Sequence, residues 1–352
     1  MLKKRKNALC LLLSLLLLAP QRACAEGEPS VSAASAIVMA ADGTVCYERA
    51  ADDRRLIAST TKLMTALLVF ERADLDEPVE ILPGWCGAEG SSLYLHQGDV
   101  CSVRELLTGL LLASANDAAV ALACHVAGSV PAFAELMNEK AAALGMRDTH
   151  YVNPHGLDED GQYSTARDLA RLMFACMADP GFAALDAQRT GEAAGQFLEN
   201  HNKLLGRLPG CVGGKTGYTR AAGRCLVSCV EHEGARFVCV TLSDPDDWND
   251  HARLYDWTFD NYVNLTVTEG LSYAVPLLSG ESASLPAAPG EERALLLPRS
   301  AALTYVVELP RFVFAPVAEG SPAGTLRVLC DGEERAAIPL VYTEGAQIGR
   351  KP

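Results

Sequence analysis

Three short strings, Ser59-Thr60-Thr61-Lys62, Ser114-Ala115-Asn116 and Lys215-Thr216-Gly217, occur in that order, about 55 and about 101 residues apart. Each says little alone, so any fold that makes use of them must gather three distant stretches of chain at one place. The first string sets the demand. A serine hydroxyl at its ordinary pKa is a poor nucleophile and needs a base to take its proton. On a helix, positions i and i+3 share a face, which would bring the Lys62 amine within reach of the Ser59 hydroxyl. Leu63, Met64, Leu67, Leu68 and Phe70 supply an apolar face for that helix, and no Gly or Pro interrupts residues 59–73.

A lysine acts as a base only when its amine is neutral, which requires a dry site or a neighbouring positive charge. Lys215, brought in from far along the chain, supplies such a charge. Ser114 is placed to relay a proton between Lys62 and a leaving amine, with Asn116 fixing the substrate backbone. Lys215 and Thr216 together offer a cation and a hydroxyl to a carboxylate, which points to a substrate with a free C-terminus. The local settings agree. Ser114-Ala115-Asn116 falls at a break between the apolar helical runs 103–112 and 117–126. Lys215-Thr216-Gly217 follows Gly213-Gly214 and precedes the strand-like run 225–230, as expected of an edge strand free to pair with a peptide.

Along the chain, residues 36–40 and 44–48 flank Asp42-Gly43, a hairpin signal. Helical periodicity occupies residues 103–144 and 166–177. Strands return at 224–230 and 236–242 with a turn over 231–234, and a final helix covers about 247–262. Strands at both ends with helices between them predict a sheet whose halves come from opposite ends of the domain, with a helical lobe beside it and the site in the cleft between. From about residue 263 the character changes to short strands, at 263–275, 293–297, 303–309 and 326–330, separated by Gly, Pro and Ser clusters such as residues 279–290. The expected organisation is a leader over 1–25, a catalytic domain over 26–262 and a β-rich domain over 263–352.

With 352 residues, 49% of them hydrophobic, the chain can bury one substantial core and a smaller second one. Lys3, Lys4, Arg5 and Lys6, the Leu-rich run 8–19 and Ala23-Cys24-Ala25 read as a secretory signal peptide, with about 12 apolar residues against the roughly 20 a membrane-spanning helix needs. The expected compartment is extracytoplasmic, in the wall or envelope space. The formal charge is −14, and five positive residues leave with the leader, taking the remainder to about −19. Such a chain is a poor partner for nucleic acid or an anionic membrane surface. Of twelve cysteines, ten remain after Cys10 and Cys24. Most lie in apolar runs, as buried thiols do, and no C-x-x-C pair suggests zinc. No metal or cofactor is called for. Cys86 and Cys101 are the pair to test first for a bridge.

The sequence resembles the D-alanyl-D-alanine carboxypeptidases, low-molecular-mass penicillin-binding proteins of the S11 serine peptidase family. Besides the three strings, the resemblance rests on residues 58–65 (ASTTKLMT), 110–119 (LLLASANDAA), 151–158 (YVNPHGLD), 164–170 (STARDLA), 200–205 (NHNKLL) and 214–219 (GKTGYT). It implies an α+β fold: a β-lactamase/transpeptidase-like domain, an antiparallel sheet flanked by helices with an all-helical lobe, followed by a small β-sandwich. It also implies Ser59 as nucleophile, Lys62 as base, and Ser114 and Asn116 as the second element. Lys215, Thr216 and Gly217 would form the carboxylate anchor, and the backbone N–H groups of Ser59 and Tyr218 an oxyanion hole. The implied substrate is the peptidoglycan stem peptide, with β-lactams as covalent inhibitors.

Two alternatives compete with this reading. A class A β-lactamase adds a deacylating Glu in an E-x-x-L-N string. Neither Glu135-Leu136-Met137-Asn138 nor Glu199-Asn200 fits it, and the middle string reads Ser-Ala-Asn. A non-hydrolytic penicillin-binding wall protein is disfavoured by the intact strings. Many members of the family end in an amphipathic membrane helix, whereas this sequence stops at Gly349-Arg350-Lys351-Pro352, so release without a clear membrane anchor is expected. His155 reads as part of a structural turn, Ser164 or Thr165 as a helix N-cap, Asp168 as an exposed or capping charge, and Trp248 and Trp257 as packing residues.

Overall fold

The computed structural model describes residues 27–349. The signal peptide expected over residues 1–25, with Cys10 and Cys24, lies outside the described residues, as do Arg350, Lys351 and Pro352. The described chain divides into two units, Gly27–Asp260 and the part that begins at Asn261.

In the first unit, β1 (Ser35–Ala40) and β2 (Val45–Arg49) form the hairpin that Asp42-Gly43 predicts, Gly43 taking φ +88°. A 3₁₀ turn, Ala58–Thr61, leads into α1 (Lys62–Arg72). The short ribbon β3 (Pro78–Glu80) and β4 (Val100–Ser102) precedes α2 (Val103–Leu112), which opens on a capping box made by Ser102 and Glu105. Then come α3 (Asn116–Ala127), α4 (Val130–Ala143), α5 (Ala166–Met177) and α6 (Pro180–Asp186). The helical stretch read from the sequence as 103–144 is thus three helices, broken at Ser114-Ala115 and at Gly128. A second ribbon, β5 (Thr190–Ala193) and β6 (Gln196–Glu199), was not foreseen. The unit closes with β7 (Cys211–Thr219), β8 (Gly223–His232), β9 (Ala235–Leu242) and α7 (Asp247–Asn261).

The sheet runs in the order β2-β1-β9-β8-β7, all neighbours antiparallel, so the N-terminal hairpin completes a sheet whose other strands lie about 200 residues later. Its central strands are covered on both faces, which is why they read as unbroken apolar runs. Ile37 and Val38 on β1, Val227 on β8, and Val238 and Val240 on β9 are fully buried. On one side α5 packs against β1 and β9. On the other, α7 presents a buried polar network. His251 Nδ1 pairs with Ser228 Oγ (2.8 Å), its Nε2 with Thr241 Oγ1 (3.1 Å), and the Tyr255 hydroxyl donates to the Ser228 carbonyl (2.9 Å). Burial holds this imidazole neutral, its pKa pushed down to about 3. With both ring nitrogens engaged in the core, this Ser–His pair serves packing.

In the lobe, α1 touches α2, α3, α4, α5 and α6. Residues 62–69 of α1 are buried all round, which identifies it as the lobe's central helix. Asp168, expected at the surface, is instead buried. It receives the Asp148 amide (3.0 Å) and the Thr149 hydroxyl (2.9 Å) and pairs with Arg171 (2.7 Å). Thr165 is the N-cap of α5, as expected. All ten described cysteines are free thiols, so Cys86 and Cys101 are not bridged.

The second unit contains β10 (Tyr262–Thr266), β11 (Tyr273–Leu278), β12 (Ser284–Pro289), β13 (Ala294–Pro298), β14 (Leu303–Glu308), β15 (Val313–Phe314), β16 (Pro322–Cys330) and β17 (Glu333–Tyr342). One sheet is ordered β14-β16-β17-β12-β11-β15 and a second pairs β10 with β13. Val275, Leu285, Leu297, Leu326, Ile338 and Leu340 form the shared core, in keeping with a small sandwich. The run 263–275 is two strands rather than one, parted by a turn at residues 267–270. The cluster 279–290 holds β12, a strand secured by its neighbours β11 and β17 and not by its own composition. Among the described residues no single helix is long and apolar enough to cross a membrane.

Tyr151 is 1% exposed and its hydroxyl has no hydrogen-bond partner among the described residues. Because an unpartnered buried polar group carries a desolvation penalty, Tyr151→Phe is expected to stabilise the protein by about 1 kcal/mol. A urea melt of the two proteins measures this directly, and a lower midpoint for the variant would refute it.

Candidate active site

The nucleophile segment is helical, as the i and i+3 spacing requires, but Ser59 sits in the 3₁₀ turn and α1 begins at Lys62 itself. In a 3₁₀ turn, side chains three apart eclipse, which stacks the amine directly over the hydroxyl. Ala58, next to the nucleophile, takes φ +47°, and Ser114 takes φ +60°. Two non-glycine residues in the left-handed region within one cleft mark a backbone held in place by its surroundings.

Lys62 is fully buried, and its Nζ has three oxygen neighbours: Ser59 Oγ at 2.9 Å, Asn116 Oδ1 at 2.6 Å and the His155 carbonyl at 2.7 Å. The Asn116 amide is oriented by its own Nδ2, which donates to the Glu89 carbonyl. Asn116 Oδ1 and the His155 carbonyl can therefore only accept. A neutral amine has two N–H bonds and one lone pair, so it donates to these two oxygens and turns the lone pair toward the Ser59 O–H. The electrostatics favour that state. Burial, and then the charge on Lys215, hold the Lys62 pKa well below its usual value, with Asp117 opposing. Asp117 is buried as well. It accepts the Leu93 and Leu95 amides (both 3.0 Å) and the Ser92 hydroxyl (2.6 Å), tying the loop before α2 to the start of α3.

The third string lies on β7, at the edge of the sheet, as expected. Gly217 faces the nucleophile turn so closely that a Cβ there would stand 2.9 Å from the Ser59 backbone nitrogen and 3.1 Å from the Ile57 carbonyl oxygen. Gly156, at φ +88°, approaches the same turn from the other side, where a Cβ would come within 1.9 Å of the Ala58 carbonyl oxygen. Lys215 is 1% exposed and donates to the Thr216 carbonyl at 3.0 Å. Burial lowers its pKa to about 8, with Asp186 pulling the other way, so it keeps its charge at neutral pH. Tyr218, next along the strand, is 68% exposed.

The structure thus links Ser59 and Asn116 through Lys62 and lays Gly217 against the Ser59 turn. Ser114 is buried beside Asn116, but among the described residues its hydroxyl bonds to neither lysine. Sequence reasoning gave Asn116 to the substrate backbone, whereas here its carbonyl oxygen holds Lys62. It also missed the 153–157 turn as a supporting element. The His155 carbonyl receives Lys62, and the Pro154 carbonyl accepts from Thr65 Oγ1 (2.6 Å). The His155 imidazole is half-buried and kept neutral, its pKa pushed down to about 4 by desolvation and then by Lys62, and its Nδ1 accepts the Leu157 amide. Among the described residues no group of His, Cys, Asp or Glu is arranged to hold a metal.

A serine facing a dry lysine between an antiparallel sheet and a helical lobe defines a penicillin-binding type of acyl-transfer hydrolase. A family model for D-alanyl-D-alanine carboxypeptidase, peptidase S11, matches residues 22–246. The carboxypeptidase DacF of Bacillus subtilis is 30% identical over 89% of this chain and 85% of its own length, and DacC of Escherichia coli is 32% identical over 91% and 86%. The crystal structure of penicillin binding protein 6B from Escherichia coli superimposes with a TM-score of 0.73 at 26% identity, covering 92% of this chain and 99% of that one. The chain belongs to the S11 family of D-alanyl-D-alanine carboxypeptidases. It is accordingly a serine-type carboxypeptidase open to acylation by β-lactams.

Gly217→Ala forces β7 away from the Ser59 turn. A displacement of about 1 Å at a reacting centre is expected to slow acylation by a β-lactam about a hundredfold. A stopped-flow measurement of acylation, with thermal unfolding as the folding control, tests this, and an unchanged rate would refute the close approach.

Proposed function

We propose that Ser59 is the nucleophile, Lys62 the base, and Lys215 with Thr216 the anchor for the substrate's terminal carboxylate. The reaction is removal of the last D-Ala from peptidoglycan stem pentapeptides. Lys62 Nζ takes the Ser59 proton as Oγ bonds to the carbonyl carbon of the penultimate D-Ala. The Ser59 and Tyr218 amides hold the oxyanion. The proton passes, by way of Ser114, to the leaving amine, the C–N bond breaks and D-Ala departs, leaving the acyl ester on Ser59. Water then attacks the ester, Lys62 takes its proton, and Ser59 Oγ recovers a proton as the C–O bond breaks. Asn116 has two uses: its Oδ1 steadies Lys62, and as part of the second element it borders the substrate backbone.

What supports these roles is the set of three contacts at Lys62 Nζ, which leaves a lone pair only for Ser59. The division into a catalytic domain over 26–262 and a β-rich domain over 263–352 is part of the same proposal, as is export by the leader at 1–25 to the wall or envelope space. There, trimming pentapeptides limits the donors available for cross-linking and so influences cell shape. The strongly acidic composition argues against a nucleic-acid partner.

D-Ala release from a stem pentapeptide tests the assignments. Ser59→Ala and Lys62→Met are each expected to lose at least about 10⁴-fold in kcat, and retention of a tenth of the activity by either would exclude its role. The kcat/KM profile should be a bell. Its acid limb follows protonation of Lys62, which abolishes the base, and its alkaline limb follows loss of the Lys215 charge near pH 8. Undiminished turnover well above that pH would remove Lys215 from the anchor.

A further inference from the structure

Behind the strand that carries Lys215 lies a buried carboxylate for which the catalytic cycle has no use. Asp186 ends α6 and is 0% exposed. Its Oδ2 accepts the Gly214 amide at 2.6 Å, while its Oδ1 has no partner among the described residues. The approach depends on the paired glycines. A Cβ on Gly213 would stand 2.4 Å from Asp186 Oδ2, and one on Gly214, at φ +144°, would stand 2.2 Å from the Val227 carbonyl oxygen. The N-H-N string is built around the same point. Asn200 Nδ2 donates to the Asp186 carbonyl at 3.4 Å, and its Oδ1 accepts the Asn202 amide at 2.8 Å.

A carboxylate in the last turn of a helix meets that helix's own carbonyls, and burial adds a desolvation cost, so its retention calls for an opposing charge. We propose that Asp186 is a positioning residue for the carboxylate anchor. It fixes the Gly214 amide at the entry to Lys215-Thr216-Gly217 and supplies the negative charge that keeps Lys215 an ammonium in a site dry enough to discharge Lys62. The inference rests on Lys215 being the anchor, as proposed above.

Lys215 is the charge that acts on Asp186. Burial raises the Asp186 pKa to about 7, with the Gly214 amide and Lys215 opposing, and Asp186 in turn raises that of Lys215. The other titratable groups around it are thiols held protonated by burial: Cys211 on β7, Cys229 on β8 and Cys176 on α5. Partial desolvation and the charge on Lys215 lower the pKa of His201, whose side chain is otherwise exposed. On α5, Arg167 pairs with Glu48 and Asp52, and Asp168 with Arg171. On α1, Phe70 packs edge-on to Phe182 of α6, and Glu71 pairs with Lys140. The charged residues of α2, Arg104 and Glu105, are engaged with Asp76 and Ser102.

Asp186→Asn keeps an oxygen for the Gly214 amide and nearly the same volume but deletes the charge. Two substrates are compared on the full-length enzyme, a peptide ending in D-Ala-D-Ala and the same peptide with a C-terminal amide. In the variant, the preference for the free acid in kcat/KM is expected to fall about tenfold, chiefly through KM, and the alkaline limb to move down by about one pH unit. Both readouts are independent of the active fraction, so partial misfolding does not imitate them, and Asp186→Ser should give the same two shifts. An unchanged preference with an unmoved limb overturns the role of Asp186. A wild type that takes acid and amide equally well overturns the anchor itself and this inference with it.

Discussion

One amine organises this active site. Lys62 Nζ is surrounded by three oxygens, and two of them, Asn116 Oδ1 and the His155 carbonyl, have no proton to give. That count fixes the direction of the remaining contact, because a neutral amine with both N–H bonds engaged has only its lone pair left for Ser59. Two of the three string motifs, and the turn at residues 153–157, are needed to build this arrangement, and the third sets its charge. Burial and the field of Lys215 both lower the Lys62 pKa, while burial brings Lys215 itself only to about 8, so Lys215 keeps its charge near neutrality.

Close backbone approach holds the arrangement together. Gly156 and Gly217 bring two unrelated segments against the Ser59 turn from different sides, each nearer than any side chain would permit. The Ala58 and Ser114 backbones, both in the left-handed region, are the strain that goes with it. The nucleophile is thus positioned by tight neighbours on both sides and not by helix propensity, which explains why the turn is 3₁₀ where a regular helix was expected.

Legibility in the sequence followed the range of the interaction. Ser59 and Lys62 were readable because their relation is three residues long, and the sheet was readable because strands buried on both faces show as apolar runs. The hairpin at Asp42-Gly43 and the cap at Thr165 were equally local. The His155 carbonyl was not readable, since a backbone oxygen leaves no mark in the residue type. Asp168 was misjudged because its partners, the Asp148 amide and the Thr149 hydroxyl, belong to a segment about 20 residues earlier. The cysteines read as free thiols because most lie in apolar runs, and Cys86 and Cys101, the pair to test first for a bridge, are free as well. β12 was hidden because its stability comes from β11 and β17, on either side of it in the sheet.

The order of strands has a consequence for the birth of the enzyme. β1 is locked between β2 and β9, so the first strands to leave the ribosome wait for the last one of the catalytic unit before their sheet can close. Until then the nascent chain carries Ser59 and, from β7 on, Lys215, but lacks the strand that joins β1 to β8. Truncation before β9 removes the one strand that pairs with both β1 and β8, and so leaves the sheet in two separate ribbons.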